Sequence, residues 1–196
     1  MLSRILEFDA ALFNAINKGL SNQLFDFVLV PIRYELFWIP FYVFIIAFIL
    51  FNHRIYHWTT ILAVIACVSA SDIVSSHTIK PLVERPRPCH ENSQVYPVNL
   101  RVRCGSGFSF TSSHATNHFA LASVLSFILF RRRKGVIFML FFWAAAIAFA
   151  QVYVGVHYPM DILCGAILGT SLGFIFNQFY ISIIETIKHK QEYDIT

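Results

Sequence analysis

The chain has 196 residues, of which 57% are hydrophobic and only 13% are charged. Soluble domains carry about 25% charged residues, so this composition excludes an ordinary soluble protein and predicts an integral membrane protein. The length allows one domain over residues 1–196. The net charge of +4 is modest and falls in short basic clusters, a pattern that fits membrane orientation better than binding of nucleic acid.

Residues 1–22 predict an amphipathic helix that lies at the membrane surface. Apolar residues recur at helical spacing from Leu2 to Leu20, with charged and amide side chains between them. The pattern breaks at Ser21. The next apolar stretch, 24–32, is too short to cross a bilayer, and we expect it to lead into the first membrane helix.

Five membrane spans follow, each near the roughly 20 residues that cross the hydrocarbon core. They cover residues 35–51, 58–79, 114–130, 135–156 and 159–181, and a polar tail begins at 187. Pro40 either kinks the first span or marks its true start. The predicted fold is therefore all-α, a membrane helix bundle with about five transmembrane helices and an N-terminal surface helix.

The distribution of basic residues predicts the orientation. The turns at 52–57 and 131–134 and the C-terminal tail share one side and carry seven of the 15 Lys and Arg, which makes that side cytoplasmic. The long polar segment 80–113 then faces the exterior or periplasm. It contains Cys89 and Cys104, which an oxidising compartment would allow to form a disulfide; two free thiols are the alternative.

Three clusters of polar residues meet on the exterior side. They comprise Lys80, Arg87, Ser112, Ser113, His114, His157 and Asp161. Cations and hydroxyls beside a helix N-terminus form an anion site. Two histidines next to such a site supply a nucleophile and an acid, which fits phosphoryl transfer without a metal or other cofactor.

His157 and Asp161 are four residues apart, so they share one face of a helix. A carboxylate in that position can hold the tautomer of the imidazole and raise its basicity. For this pair alone, an Asp that caps a helix beside an interfacial His is the alternative reading.

These motifs resemble those of the type 2 phosphatidic acid phosphatase family, which are K-x6-R-P, P-S-G-H and S-R-x5-H-x3-D. The first is complete, from Lys80 to Arg87 and Pro88. The second reads T-S-S-H over residues 111–114, with Ser113 in the place of a glycine.

The third motif keeps His157 and Asp161, but Ala150 and Gln151 stand where the family has Ser and Arg. The resemblance extends over about residues 58–170.

The resemblance implies a role for each matching residue. His157 would attack phosphorus and form a phosphohistidine, Asp161 would orient it, and His114 would protonate the leaving group. The phosphoryl oxygens would be held by four groups. These are Lys80, Arg87, Ser112 and the backbone N–H of Ser113.

Gln151 keeps a hydrogen-bond donor but lacks the charge and the forked geometry of arginine. We expect Arg85, Arg101 or Arg103 to replace that charge, with Arg85 preferred because it lies two residues before Arg87. For each of the three, surface charge in a polar loop is the alternative.

The resemblance implies a membrane phosphatase that hydrolyses a lipid phosphomonoester or diphosphate at the outer face of the bacterial inner membrane. Candidate substrates are undecaprenyl diphosphate, phosphatidylglycerol phosphate, phosphatidic acid and the lipid A phosphates. A phosphotransferase that moves phosphate between lipids is an alternative. A non-catalytic lipid-phosphate binder or transporter of the same fold is another. Partners are the lipid substrate and the bilayer, and the oligomeric state stays open.

Overall fold

The computed structural model describes residues 2–53 and 55–193. Within these residues it is an all-helical bundle, as predicted, and we number the helices in chain order. They are α1 (Leu2–Asn14), α2 (Gln23–Ile32), α3 (Glu35–Asn52), α4 (His57–Val83), α5 (Ser113–Ile128), α6 (Lys134–Tyr153) and α7 (Pro159–Tyr193). The α-helical part of α3 begins at Ile39, so Pro40 marks its start. The first backbone N–H groups of a helix have no partner within the helix, so a proline there costs no hydrogen bond.

Four helices, α3, α4, α6 and α7, are long and apolar enough to cross a membrane, and they correspond to four of the five predicted spans. The remaining predicted span is α5, which has only 16 residues and a different character. Nine of its residues are buried, and several are small or polar, such as Ala120 and Ser123. Because α5 packs against α4, α6 and α7, much of its surface is buried in protein, and it needs less of the apolar surface that marks a membrane span.

The closest helix packing is between α5 and a stripe of three glycines on α7, Gly165, Gly169 and Gly173. A Cβ atom at Gly169 would lie 2.1 Å from the carbonyl oxygen of Thr116, and one at Gly173 would lie 2.5 Å from Cβ of Ser123. Small residues allow such an approach between membrane helices. The result is that the start of α5 lies against the start of α7, and the backbone N–H of Ser112 donates to the carbonyl oxygen of Asp161 at 3.1 Å.

Helix α1 presents an exposed apolar side, where Phe8 is 68% exposed, but its opposite side is docked on the protein. Phe13 is fully buried, and its ring centroid lies 5.6 Å from that of Tyr158. Asn17, in the short π-helical stretch Ala15–Gly19 that continues α1, is also buried and donates from Nδ2 to the carbonyl oxygen of Tyr153 at 2.8 Å. Apolar periodicity therefore predicts the helix correctly but misses its polar anchors.

Three boundaries differ from the sequence-based expectations. Helix α4 continues to Val83, so Lys80 lies on a helix and the non-helical segment is 84–112 instead of 80–113. The stretch 24–32 belongs to a separate helix, α2. Helix α7 continues to Tyr193, so the polar tail extends the helix beyond its apolar part.

A disulfide within the segment and an ion pair to another helix constrain the segment 84–112, which connects α4 to α5. Cys89 and Cys104 form a disulfide, as predicted. Arg101 donates from Nε to Oδ1 of Asp26 at 2.5 Å and stacks over the ring of Tyr153 at 4.0 Å. The segment is thereby attached to α2 and α6 although it contains no long helix.

The disulfide predicts a simple labelling pattern. In protein denatured without reductant, a maleimide should label only Cys67 and Cys164, and reduction should expose all four cysteines. The matched variant Cys89→Ser should give three labelled cysteines without reductant, because Cys104 loses its partner. Labelling of all four in the unreduced parent protein would contradict the bridge.

The contact of α5 with α7 predicts that Gly169→Ala is destabilising. The added methyl group must displace the backbone at Thr116, and overpacking of this kind costs about 1–3 kcal/mol or more. The control is Gly135→Ala, where no atom lies within 4 Å of the new Cβ. Thermal unfolding in detergent should show a clear loss for Gly169→Ala alone, and equal melting temperatures would contradict the packing.

Candidate active site

A cavity of about 290 Å³ opens where the ends of α4 and α6 meet the starts of α3 and α5. Its walls combine cations, two acidic residues and two histidines. The lining residues are Arg33, Glu35, Asp72, Lys80, Arg87, Arg103, Gly105, Ser113, His114, Asn117, Gln151, Val156 and His157. Residues from all three sequence motifs therefore reach one cavity, although more than 70 positions separate Lys80 from His157.

His157 lies in the turn between α6 and α7 and is 2% exposed. Its Nε2 atom lies 3.3 Å from Nη1 of Arg87, and its Nδ1 atom lies 3.3 Å from Oγ of Ser109 and 3.6 Å from Oδ2 of Asp161. Because a guanidinium can only donate, Nε2 must carry the lone pair and Nδ1 the proton. Burial, reinforced by the charge of Arg87, lowers the pKa of His157 to about 4, so the ring is neutral at pH 7.

Asp161 is fully buried in the first turn of α7. Its Oδ2 atom accepts hydrogen bonds from Oγ of Ser109 and, at 2.9 Å, from the backbone N–H of Tyr158. Its Oδ1 atom accepts one from Nη1 of Arg85 at 2.7 Å. The carboxylate thus has partners on both oxygens and a favourable place at a helix N-terminus. The capping and the catalytic readings of Asp161 are compatible, since the same side chain contacts the helix start and His157.

Arg85 does not line the cavity. Its Nη2 atom donates to Oδ2 of Asp9 at 2.6 Å, and its guanidinium lies 3.7 Å above the ring of Tyr158. Asp9 in turn accepts from the backbone N–H of Met160 at 2.8 Å. Because both terminal nitrogens of Arg85 donate to carboxylates, this placement argues against the expectation that Arg85 holds phosphoryl oxygens. It instead joins α1 to Asp161.

The two serines at the start of α5 differ in placement. Ser112 is the N-cap residue, and its Oγ accepts from the backbone N–H of Ala115 at 3.4 Å. Ser112 is fully buried and does not line the cavity. This placement argues against its predicted role as a phosphate ligand. Ser113 does line the cavity, and its Oγ lies 2.8 Å from Oγ of Ser76.

His114 is the second residue of α5 and lies near the start of α3. Its Nε2 atom lies 4.0 Å from Oε1 of Glu35. The carbonyl oxygen of His114 accepts from Nδ1 of His118 at 2.8 Å, which adds a second polar tie along α5. Glu35 did not stand out in the sequence, because a charge at the edge of an apolar stretch is typical of any membrane helix end.

The charge balance of the cavity favours a dianion. Four Lys and Arg side chains and two Asp and Glu side chains line it, which leaves an excess of two positive charges when the histidines are neutral. A phosphate monoester near pH 7 carries about two negative charges. The cavity therefore matches the charge of a phosphoryl group.

Gln151 is the residue that departs from the family motif, and it lines the cavity. It is fully buried, and neither atom of its amide has a hydrogen-bond partner among the described residues. Of the cations proposed to replace the missing arginine, only Arg103 reaches the cavity wall. A further one, Arg33, also lines the cavity and was not singled out from the sequence, because it lies far from every motif.

The sequence profile of the PAP2 superfamily matches residues 58–184. The chain is 32% identical to lipid A 4′-phosphatase of Bacteroides thetaiotaomicron, over 90% of this chain and 78% of the relative. It is 27% identical to lipid A 4′-phosphatase of Porphyromonas gingivalis, over 90% and 75%. Undecaprenyl-diphosphatase BcrC of Bacillus subtilis is 28% identical, but over only 55% of this chain and 51% of the relative.

Two solved structures share the fold. The PAP2-type phosphatidylglycerolphosphate phosphatase of Bacillus subtilis aligns with a TM-score of 0.72 at 23% identity, covering 92% of this chain and 88% of that one. Aquifex aeolicus LpxE aligns with a TM-score of 0.66 at 24% identity, covering 86% and 93%. The predicted family is thus confirmed, and the chain belongs to the PAP2 superfamily as a multi-pass bacterial membrane lipid phosphatase.

Proposed function

We propose that this lipid phosphatase hydrolyses the 4′-phosphate of lipid A. The observation that carries the proposal is the extent of similarity, because both lipid A 4′-phosphatases align over 90% of this chain. Because 90% coverage extends well beyond residues 58–184, the similarity includes the part of the chain that contributes Arg33 and Glu35 to the cavity wall. The relatives named for polyprenyl substrates align over about half of the chain.

The chemistry that we propose has two steps through His157. In the first, Nε2 of His157 attacks phosphorus, the N–P bond forms and the bond from phosphorus to the lipid oxygen breaks, while His114, which takes up a proton when the phosphoryl dianion is bound, gives that proton to the oxygen. In the second, a water molecule attacks phosphorus and gives a proton to His114, the N–P bond breaks and inorganic phosphate leaves. The arrangement supports this order, because His157 is neutral and holds its lone pair on Nε2.

The cavity cations would stabilise the transferring group. Lys80, Arg87 and Ser113 line the cavity, where they would donate to the phosphoryl oxygens as charge develops on them, and such fixed donors are the largest source of stabilisation in many enzymes. Asp161 would stabilise the positive ring that forms when His157 is phosphorylated. Its distance of 3.6 Å from Nδ1 supports that role.

We further propose that the cavity opens to the periplasm from the inner membrane. The basic turn 131–134 joins α5 to α6 at the ends opposite the cavity, since His114 starts α5 and Gln151 ends α6. Basic loops favour the cytoplasmic side. The disulfide between Cys89 and Cys104 lies on the cavity side, where an oxidising compartment would maintain it.

A substrate panel tests the proposed reaction. Purified protein in detergent should release phosphate faster from lipid A than from undecaprenyl diphosphate, phosphatidic acid or phosphatidylglycerol phosphate. Mass spectrometry of the product should show loss of the 4′-phosphate with the 1-phosphate retained. Faster turnover of any other lipid in the panel, or release from position 1, would refute the substrate assignment. Transfer of phosphate to a lipid hydroxyl in place of water would identify a phosphotransferase.

Substitution of the nucleophile tests the mechanism. His157→Ala should abolish phosphate release and the acid-labile phosphoenzyme trapped by rapid quenching, because no other group in the cavity can form the N–P bond in that position. His77→Ala is the control, since His77 is exposed on α4 and does not line the cavity. Activity of His157→Ala within tenfold of the parent, with normal folding, would exclude the nucleophile.

A further inference from the structure

We propose that Arg33, in the connection between α2 and α3, supplies the cation that the phosphoryl site lacks at Gln151, and that Gln151 adds a neutral donor beside it. This inference rests on the proposed function, because it assumes that a phosphoryl group occupies the cavity. It concerns a residue outside the part of the chain that the family profile matches, residues 58–184.

The first observation is the unsatisfied amide of Gln151. Its side chain is fully buried in the cavity wall, and both Nε2 and Oε1 lack hydrogen-bond partners among the described residues. Burying an amide in this way is unfavourable unless a partner arrives. A phosphoryl oxygen in the cavity would accept from Nε2 and remove part of that cost.

The second observation is the position of Arg33. It lines the same cavity as Gln151, and its Nε atom is buried without a hydrogen-bond partner in the described part of the chain. The connection that carries it is held in place, because Nε1 of Trp38 donates to the carbonyl oxygen of Ile32 at 2.7 Å and Trp38 packs edge-on against Trp143 at 5.5 Å. A guanidinium so placed can present two parallel donors to a phosphoryl group.

The other candidate cations are less suited. Arg85 is committed to Asp9 and Asp161, and Arg101 is committed to Asp26, whereas Arg33 lies over the ring of Tyr34 at 5.1 Å and has no carboxylate partner among the described residues. Arg103 lines the cavity, but its side chain is exposed, where water screens its charge. Arg33 is partly buried, so its charge acts through a less polar medium. Among these arginines it is therefore the one that can compensate for the neutral residue at 151.

The proposal predicts that the charge can be moved between the two positions. Arg33→Gln should reduce kcat/KM at least tenfold and weaken inhibition by inorganic phosphate and by orthovanadate to a similar extent. Arg33→Lys should recover part of the loss, because it keeps the charge but not the fork. The double variant Arg33→Gln/Gln151→Arg should return kcat/KM to within about threefold of the parent, because the cation again reaches the cavity.

Two controls accompany these variants. Arg131→Gln removes an exposed cation from the turn at the opposite ends of α5 and α6, and it should leave kcat/KM unchanged. Arg103→Gln tests the exposed cation at the cavity, and we expect a change of less than threefold. Melting temperatures of all variants distinguish a damaged fold from the loss of a phosphoryl-binding side chain. If Arg33→Gln does not fold, Arg33→Lys and the double variant take its place in the comparison.

The outcomes are distinct. Arg33→Gln within twofold of the parent, or a double variant that folds but stays as impaired as Arg33→Gln, would overturn the proposal. A tenfold loss in Arg103→Gln with none in Arg33→Gln would assign the cation to Arg103 and would also overturn it. If lipid A proves not to be the substrate, a thermal shift of the parent and of Arg33→Gln with inorganic phosphate still decides whether Arg33 binds the phosphoryl group.

Discussion

Asp161 is a carboxylate with no exposed surface, and a buried charge of this kind is tolerated only when it is paired and hydrogen-bonded. Its partners come from separate parts of the chain: the guanidinium of Arg85 after α4, the hydroxyl of Ser109 before α5, and the backbone N–H of Tyr158 before α7. Loss of one partner of a buried pair costs about 3–5 kcal/mol. The segment between α4 and α5 is therefore held to α7 by the same anion that lies 3.6 Å from Nδ1 of His157.

The network continues from Asp161 into the N-terminal helix. Arg85 lies between two carboxylates, and the second, Asp9, is 1% exposed and also accepts the backbone N–H of Met160 at the start of α7. A single arginine between two buried anions stabilises both, and removal of Asp9 would leave Nη2 of Arg85 and the backbone N–H of Met160 without this acceptor. Helix α1 is thus part of the support of the candidate active site. Its apolar outer side is exposed, and its inner side is docked on the protein.

The sequence predicted most of the fold and several residues of the cavity wall because those features are local. Apolar runs identified the spans, and fixed spacings identified Lys80, Arg87, His114 and His157. The disulfide followed from two cysteines in one loop. The contributions of Asp9, Arg33 and Glu35 depend on contacts between distant parts of the chain. Asp9 and Arg85, for example, are 76 positions apart, and no local sequence pattern indicates such a contact. Helix α5 differs from the predicted membrane span for a related reason. Its packing against neighbouring helices accounts for its buried small and polar residues.

The cations around His157 affect both states of that residue. In the proposed reaction, burial and the neighbouring charge of Arg87 hold the pKa of His157 at about 4, so the ring would enter as a neutral nucleophile with Nε2 unprotonated. The same cations would attract the phosphoryl dianion, whose charge would then offset the excess positive charge of the cavity. With the N–P bond formed, the ring would be positive and would face Asp161 on its far side, 3.6 Å from Nδ1. Under this proposal, cations lie on the phosphoryl side of one imidazole and an anion on the other, an arrangement that would favour the charge movement of the reaction over either resting state.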